Sequence, residues 1–197
     1  MIATNDAALA RNLRLLRSHG MTVTSWDRDK GRPAAYDVLE VGFNFRFDDL
    51  RASIGLVQLE KLPQFNRQRA ELVNRYNEQF SKWNSGVILP YALVSRSKEP
   101  SFHIYPIVLP SSAERDAVAE HLKADGIQTS IHYPPIHYLS AFRRTGSQVH
   151  LPLTEAFACR ELTLPLYPSL KLEQIDQIVE GVQSAMASVH SHSRVLQ

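Results

Sequence analysis

Cysteine is almost missing from this chain: Cys159 is the only one in 197 residues. A lone cysteine excludes an intramolecular disulfide and fits a reducing compartment. Long apolar runs are missing too. Nothing approaches the roughly 18 residues of a membrane span. The first residues, Met1 to Asp6, have neither the basic start nor the apolar stretch of a signal peptide. Charge of one sign is also lacking, with 22 Lys+Arg against 20 Asp+Glu. A net charge of +2, so evenly mixed, gives no footprint for nucleic acid. There is no glycine-rich phosphate loop, no paired-cysteine zinc pattern and no G-x-S-x-G elbow. What is present is ordinary for a folded domain. The chain is 44% hydrophobic and 21% charged, which excludes wholesale disorder. A compact chain of this size buries roughly 70% of its unfolded surface, so it needs neither disulfide nor metal to form a core. The composition reads as a cytoplasmic, mixed-structure enzyme or small-molecule binder, with no membrane or nucleic-acid partner.

Along the chain there is no internal repeat. Thr4, Asn5 and Asp6 offer cap oxygens. Leu9, Leu13 and Leu16 then recur at helical spacing, with Gly20 as a stop. Residues 21–40 read as a loop. Asp48 or Asp49 can cap a helix from Leu50 to Leu62 that is apolar nearly all round. Such a helix is buried on several sides or lies in a subunit interface. Pro63 marks a break or kink. A third helix then runs to about Trp83, with Phe65, Leu72, Val73, Tyr76 and Phe80 on one face. After Gly86 the spacing predicts a strand at His103–Leu109. A capping box at Ser111–Glu114 opens a helix that stops at Gly126. A second strand is expected at Ile127–Ile131, and an irregular segment from His132 to Tyr138. Thr154 can cap a short helix to about Leu162, followed by a strand at Leu162–Leu166. Ile175, Ile178, Val179, Val182 and Met186 mark a final amphipathic helix. This order suits a small α+β domain with helices on one face of a sheet.

Two segments carry candidate chemistry. In Gly42-Phe-Asn-Phe-Arg46, Asn44 and Arg46 stand two apart, so in an extended stretch they point to one side. An amide NH₂ beside a guanidinium suits a phosphate or carboxylate. Phe43 and Phe45 would anchor the other face. The same pattern also fits a turn asparagine and a surface arginine between core aromatics. The second segment, His132-Tyr-Pro-Pro-Ile-His-Tyr138, holds two imidazoles and two phenols in a proline-stiffened run. It fits a polar pocket, and equally a solvated proline loop. A metal site is disfavoured: the histidines are five apart outside a regular helix, with no Cys or acidic residue between them. His103 and Tyr105 alternate on one strand face, a face that suits a site or core alike.

These segments, with two others, resemble one family. Leu15-Leu-Arg-Ser-His-Gly20, then Gly42–Arg46 with Ala52–Leu62, then Ser101–Tyr105 with His132-Tyr-Pro-Pro135, then Leu151–Glu155 with Leu164-Pro-Leu-Tyr-Pro168, stand in the order found in the DegT/StrS sugar aminotransferases. The resemblance covers about residues 1–185. It implies an α/β chain of the aspartate-aminotransferase fold type: the end of a PLP-transferase large domain with interface helices, then a small α+β C-terminal domain. That domain's sheet would be antiparallel or mixed, with helices on one face. The boundaries expected are 1–62 for the large-domain remnant, 63–187 for the small domain and 188–197 for a frayed tail.

The resemblance also implies a homodimer that uses pyridoxal 5'-phosphate (PLP). It would move an amino group from an amino acid, glutamate by analogy, to a nucleotide-linked keto-sugar. Asn44 would reach the phosphate of PLP in the neighbouring subunit, with Arg46 beside it. His132, Tyr133 and Pro135, and less directly His103 and Tyr105, would border the sugar-nucleotide pocket. None of the six lysines (30, 61, 82, 98, 123 and 171) matches the position of the family's PLP-binding lysine, which lies upstream of the segment resembling residues 1–20. The expectation is a C-terminal half that carries no catalytic residue and no covalent PLP of its own, and depends on a missing N-terminal half. Two alternatives stay open. One is a dehydratase of the same family, with histidine in place of that lysine. The other is a non-catalytic binding or dimerising remnant.

Overall fold

The computed structural model describes residues 2–23, 31, 35–83, 86–93, 100–143 and 149–195. They form two units, residues 1–60 and 61–197. The boundary falls inside one long helix.

In the first unit, helix α1 (Ala7–Leu16) starts where Asp6 caps it. Asp6 Oδ1 accepts the N–H groups of Ala8 at 2.8 Å and Leu9 at 3.1 Å, two of the donors a helix start leaves unpaired. The helix ends at a reversal in which His19 and Gly20 both have positive φ, 60° and 70°. The chain then returns antiparallel to itself. Ser18 pairs with Asn44, and Met21 with Val38. Ser18 and Gly20 are the only buried residues described in this unit. Phe43 and Phe45 do not anchor a core, as the sequence pattern suggests. They are 56% and 69% exposed and stack on each other, ring centroids 5.1 Å apart.

Helix α2 (Asp49–Ser81) is continuous, where a break or kink at Pro63 is expected. Proline removes one hydrogen bond, to the carbonyl of Leu59. Leu59 and Pro63 lie on an exposed stretch, so water can serve that carbonyl and the helix continues. Before Lys61 the apolar side chains of α2 are open: Leu50 is 74% exposed, Leu56 64% and Leu59 63%. Past Lys61 the same helix buries Leu72, Val73, Tyr76 and Phe80.

The second unit has one core. Strands β1 (Tyr105–Val108) and β2 (Glu161–Leu164) pair antiparallel, with Tyr105 opposite Leu164 and Ile107 opposite Leu162. A bridge from Ile88 extends the far edge of β1, and one from Ser130 flanks β2. The strand expected at Ile127–Ile131 is therefore reduced to a single bridge. β2 begins at Glu161 rather than Leu162. Helix α3 (Ser112–Ala124) opens on the expected cap, with Ser111 Oγ accepting the N–H of Glu114. A short α4 (Ser140–Arg143) follows a 3-10 turn at Ile136–Tyr138. Helix α5 (Pro152–Ala158) has Pro152 in its first turn, and its N-cap is Leu151 rather than Thr154. Proline fits the first turn, where its missing N–H costs nothing, so Thr154 falls inside the helix.

Helix α6 (Leu172–Val195) runs without a break past Ser188 to Val195. It buries Ile175, Ile178, Val179, Val182 and Met186, the face its periodicity predicts. Against α3 the fit is close. A Cβ on Gly181 would stand 2.7 Å from Leu122 Cδ2. Asp176 of α6 meets α2 through Arg75, at 2.9 and 2.6 Å, and through Gln79 at 2.8 Å.

Candidate functional site

The first cluster is built on a backbone contact. Phe43 N–H donates to Leu16 O at 2.6 Å, His19 N–H to Phe43 O at 2.8 Å, and Phe45 N–H to Arg17 O at 2.9 Å. These bonds lay the Gly42–Arg46 segment along the end of α1. Asn44 is exposed. The Arg46 guanidinium reaches the buried Ser18, whose Oγ accepts from Nη2 at 3.0 Å and Nε at 3.3 Å. An amide, a guanidinium and a hydroxyl thus gather within one short antiparallel pairing. Such a donor set matches the oxygens of a phosphate.

Gly42 permits this contact. A Cβ there would lie 2.3 Å from Gly20 N and 2.6 Å from His19 C. Both are backbone atoms and cannot swing away. Gly42→Ala is therefore expected to force the two segments apart. Overpacking of this kind costs about 1–3 kcal/mol. Hydrogen exchange by NMR should show the Phe43 and Phe45 amides losing roughly tenfold or more of their protection. Unchanged protection would mean that the approach at Gly42 does not hold the segment.

The second cluster lines an open cleft of about 520 Å³ in the second unit. His103, Gln128, Ser130, His132, Thr163 and Gln174 are among its polar walls. Behind His132 stands a buried carboxylate, Glu161, only 1% exposed. Glu161 Oε2 accepts the N–H of His132 at 2.8 Å, and Oε1 accepts the hydroxyl of Thr163 at 2.5 Å. Thr163 Oγ1 in turn lies 3.0 Å from His132 Nδ1. No sequence motif points to Glu161 or Thr163. Their signal was the alternation Glu161-Leu-Thr-Leu164, which puts two polar side chains on one side of a strand.

The remaining expected residues separate. Tyr133 is 71% exposed and Pro135 is buried; neither lines the cleft. His103 lines it, but Tyr105 does not share that position. Tyr105 is buried in the core, stacked on Tyr76 at 4.3 Å, with its hydroxyl donating to Asn77 Oδ1 at 2.8 Å. Burial pushes the hydroxyls of Tyr76 and Tyr105 above the ordinary phenol range.

His137 lies in a separate cluster around Glu155. Glu155 Oε1 accepts the Leu151 N–H at 2.8 Å and faces His137 Nε2 at 2.9 Å; His150 Nδ1 is 3.0 Å from Oε2. The Leu151 N–H, and after it His137, hold the Glu155 carboxyl down at about 2. This arrangement ties the turn after Pro135 to the start of α5.

Comparison with known proteins places this chain. The family model described as the DegT/DnrJ/EryC1/StrS aminotransferase family matches residues 1–183, and the chain belongs to that family. Its fold is similar to that of Helicobacter pylori PseC, an aminotransferase of pseudaminic acid biosynthesis, with a TM-score of 0.82 and 27% identity over 94% of this chain and 48% of that one. The putative sugar aminotransferase Spr1654 from Streptococcus pneumoniae, in its PMP form, gives a TM-score of 0.81 and 28% identity over 94% and 47%. The aminotransferase TlmJ from Streptoalloteichus hindustanus gives 0.81 and 29% over 95% and 47%. The chain spans about half the length of these structures. Among its described residues, no helix is long and apolar enough to cross a membrane.

Proposed function

We propose that this chain forms one half of a PLP-dependent aminotransferase that moves an amino group from an amino acid, glutamate by family likeness, to a nucleotide-linked keto-sugar. The observation that carries this reading is the family match over residues 1–183, with the Gly42–Arg46 segment presenting its donor set at the end of α1. PLP, when bound, supplies the electron sink for the chemistry at the amino-bearing carbon. The chain's own residues bind and orient. Asn44 donates its amide N–H to a phosphate oxygen. Arg46, braced on Ser18, adds charge on the same side. His132 borders the sugar. The lysine that would hold PLP lies in the part of the fold this chain does not span.

The open apolar side of α2, with Leu50, Ile54 and Val57 each about half exposed or more, suits a dimer contact that brings Asn44 to the neighbouring subunit's PLP. Exposed apolar side chains gathered on one helix stretch are the kind of surface that marks an interaction site. The test supplies the other half of the fold, fused or co-expressed. With PLP, glutamate and a nucleotide-linked keto-sugar, the assembly is expected to release 2-oxoglutarate and an amino-sugar nucleotide in equal amounts, read by mass spectrometry. An assembly that binds PLP but forms no amino-sugar from any keto-sugar offered would overturn the reading.

A further inference from the structure

We infer that the buried pair Glu161 and Thr163 locks His132 as its Nδ1–H tautomer, so that Nε2 stands as a fixed hydrogen-bond acceptor for a ligand hydroxyl at the cleft. The argument is a count of protons. Thr163 has a single hydroxyl proton, and at 2.5 Å it goes to Glu161 Oε1. Toward His132, then, Thr163 Oγ1 can only accept. The 3.0 Å contact between Thr163 Oγ1 and His132 Nδ1 therefore requires the proton on Nδ1. Ser130 Oγ, at 3.4 Å from the same nitrogen, is longer and can accept as well. The second carboxylate oxygen of Glu161 takes the His132 backbone N–H at 2.8 Å, which fixes the main chain that carries the ring. Nε2 has no protein partner among the described residues. A neutral imidazole protonated at Nδ1 is an acceptor at Nε2. It selects a donor, such as a carbohydrate hydroxyl, and offers nothing to a phosphate oxygen. The use of Nε2 for substrate rests on the function proposed above; the tautomer does not. Glu161 and Thr163 are positioning residues here, since they act through His132.

The proton count makes an isosteric substitution decisive. In Glu161→Gln, the amide oxygen must still accept the His132 N–H, so the NH₂ faces Thr163 and donates to it. Thr163 then turns its own proton toward His132 Nδ1, and the ring is forced to Nε2–H. ¹⁵N-labelled chain is examined by NMR at about pH 8, above the ordinary histidine pKa of about 6.5, with His132→Gln used to assign the signal among the eight histidines. Native protein is expected to show Nδ1–H favoured by roughly tenfold, the effect of one well-made hydrogen bond. Thr163→Ser should keep that ratio, and Glu161→Gln should reverse it. Nε2–H dominance in the native chain overturns the inference, whether or not the variants fold. An unchanged ratio in a folded Glu161→Gln variant overturns it too. Because no substrate is present, failure here is distinct from failure of the aminotransferase reading.

Discussion

Asn44→Ala is expected to weaken PLP retention roughly 10- to 150-fold in the assembled enzyme. On the proposed role of Asn44, the substitution would remove an amide donor to a charged oxygen, and such a bond is worth about 1.5–3 kcal/mol. Stability should barely change. Asn44 is exposed, and the backbone pairing with Ser18 that holds the segment survives the loss of its side chain. Spectrophotometric titration with PLP, beside an unfolding curve, separates the two effects. The role across the subunit boundary has its own test. An Asn44→Ala subunit is mixed with a subunit that lacks only the PLP-binding lysine. If Asn44 acts on the neighbour's site, the one site with a lysine receives an intact Asn44, and activity partly returns. If it acts within its own subunit, that site keeps its defect. No rescue in verified mixed dimers would refute the contact between subunits, and leave family membership untouched.

Tyr76→Ala is expected to destabilise the second unit by about 3–5 kcal/mol, the range for large aromatic-to-alanine changes in a core. Tyr76 is fully buried. Its ring stacks on Tyr105 at 4.3 Å, and its hydroxyl donates to Pro165 O at 2.8 Å. The residue thus joins α2 to β1 and to the end of β2. With a typical urea slope of about 2 kcal/mol per M, the midpoint should fall by roughly 2 M. Tyr76→Phe separates the contributions. It keeps the stack and strands the Pro165 carbonyl, at a cost of about 1–3 kcal/mol. A Tyr76→Ala loss under about 1 kcal/mol would contradict the central place given to this ring, because a collapsing cavity still forfeits its transfer energy.

Elements with a local code were legible in the sequence. The Asp6 and Ser111 caps, the Gly20 and Gly126 stops and the apolar face of α6 each rest on side-chain periodicity or a hydrogen bond spanning a few residues. The Gly42–Arg46 pairing was legible as a motif but not as a contact. What Phe43 and Phe45 cover depends on partners distant in the chain, and here they stack on each other and stay more than half exposed. Local rules misled where context relaxed them. Pro63 kept its helix because its stretch is exposed, and Thr154 lost the cap because Pro152 had already started the turn.

The sequence by itself determined the family, the helix limits with local signals, and Asn44, Arg46 and His132 as residues of interest. Order and spacing of motifs carry that information without any fold. Tertiary structure alone decided which of those residues stand together. His132 and Glu161 are 29 positions apart, and only the bridge of Ser130 to Thr163 brings them within hydrogen-bonding distance. Tyr105 alternates with His103 in sequence, yet packing assigned it to the core, because its ring gains more from Tyr76 than from water. A hydrogen bond acts over about 3 Å, so chemistry assembled from distant segments becomes visible only once the chain has folded.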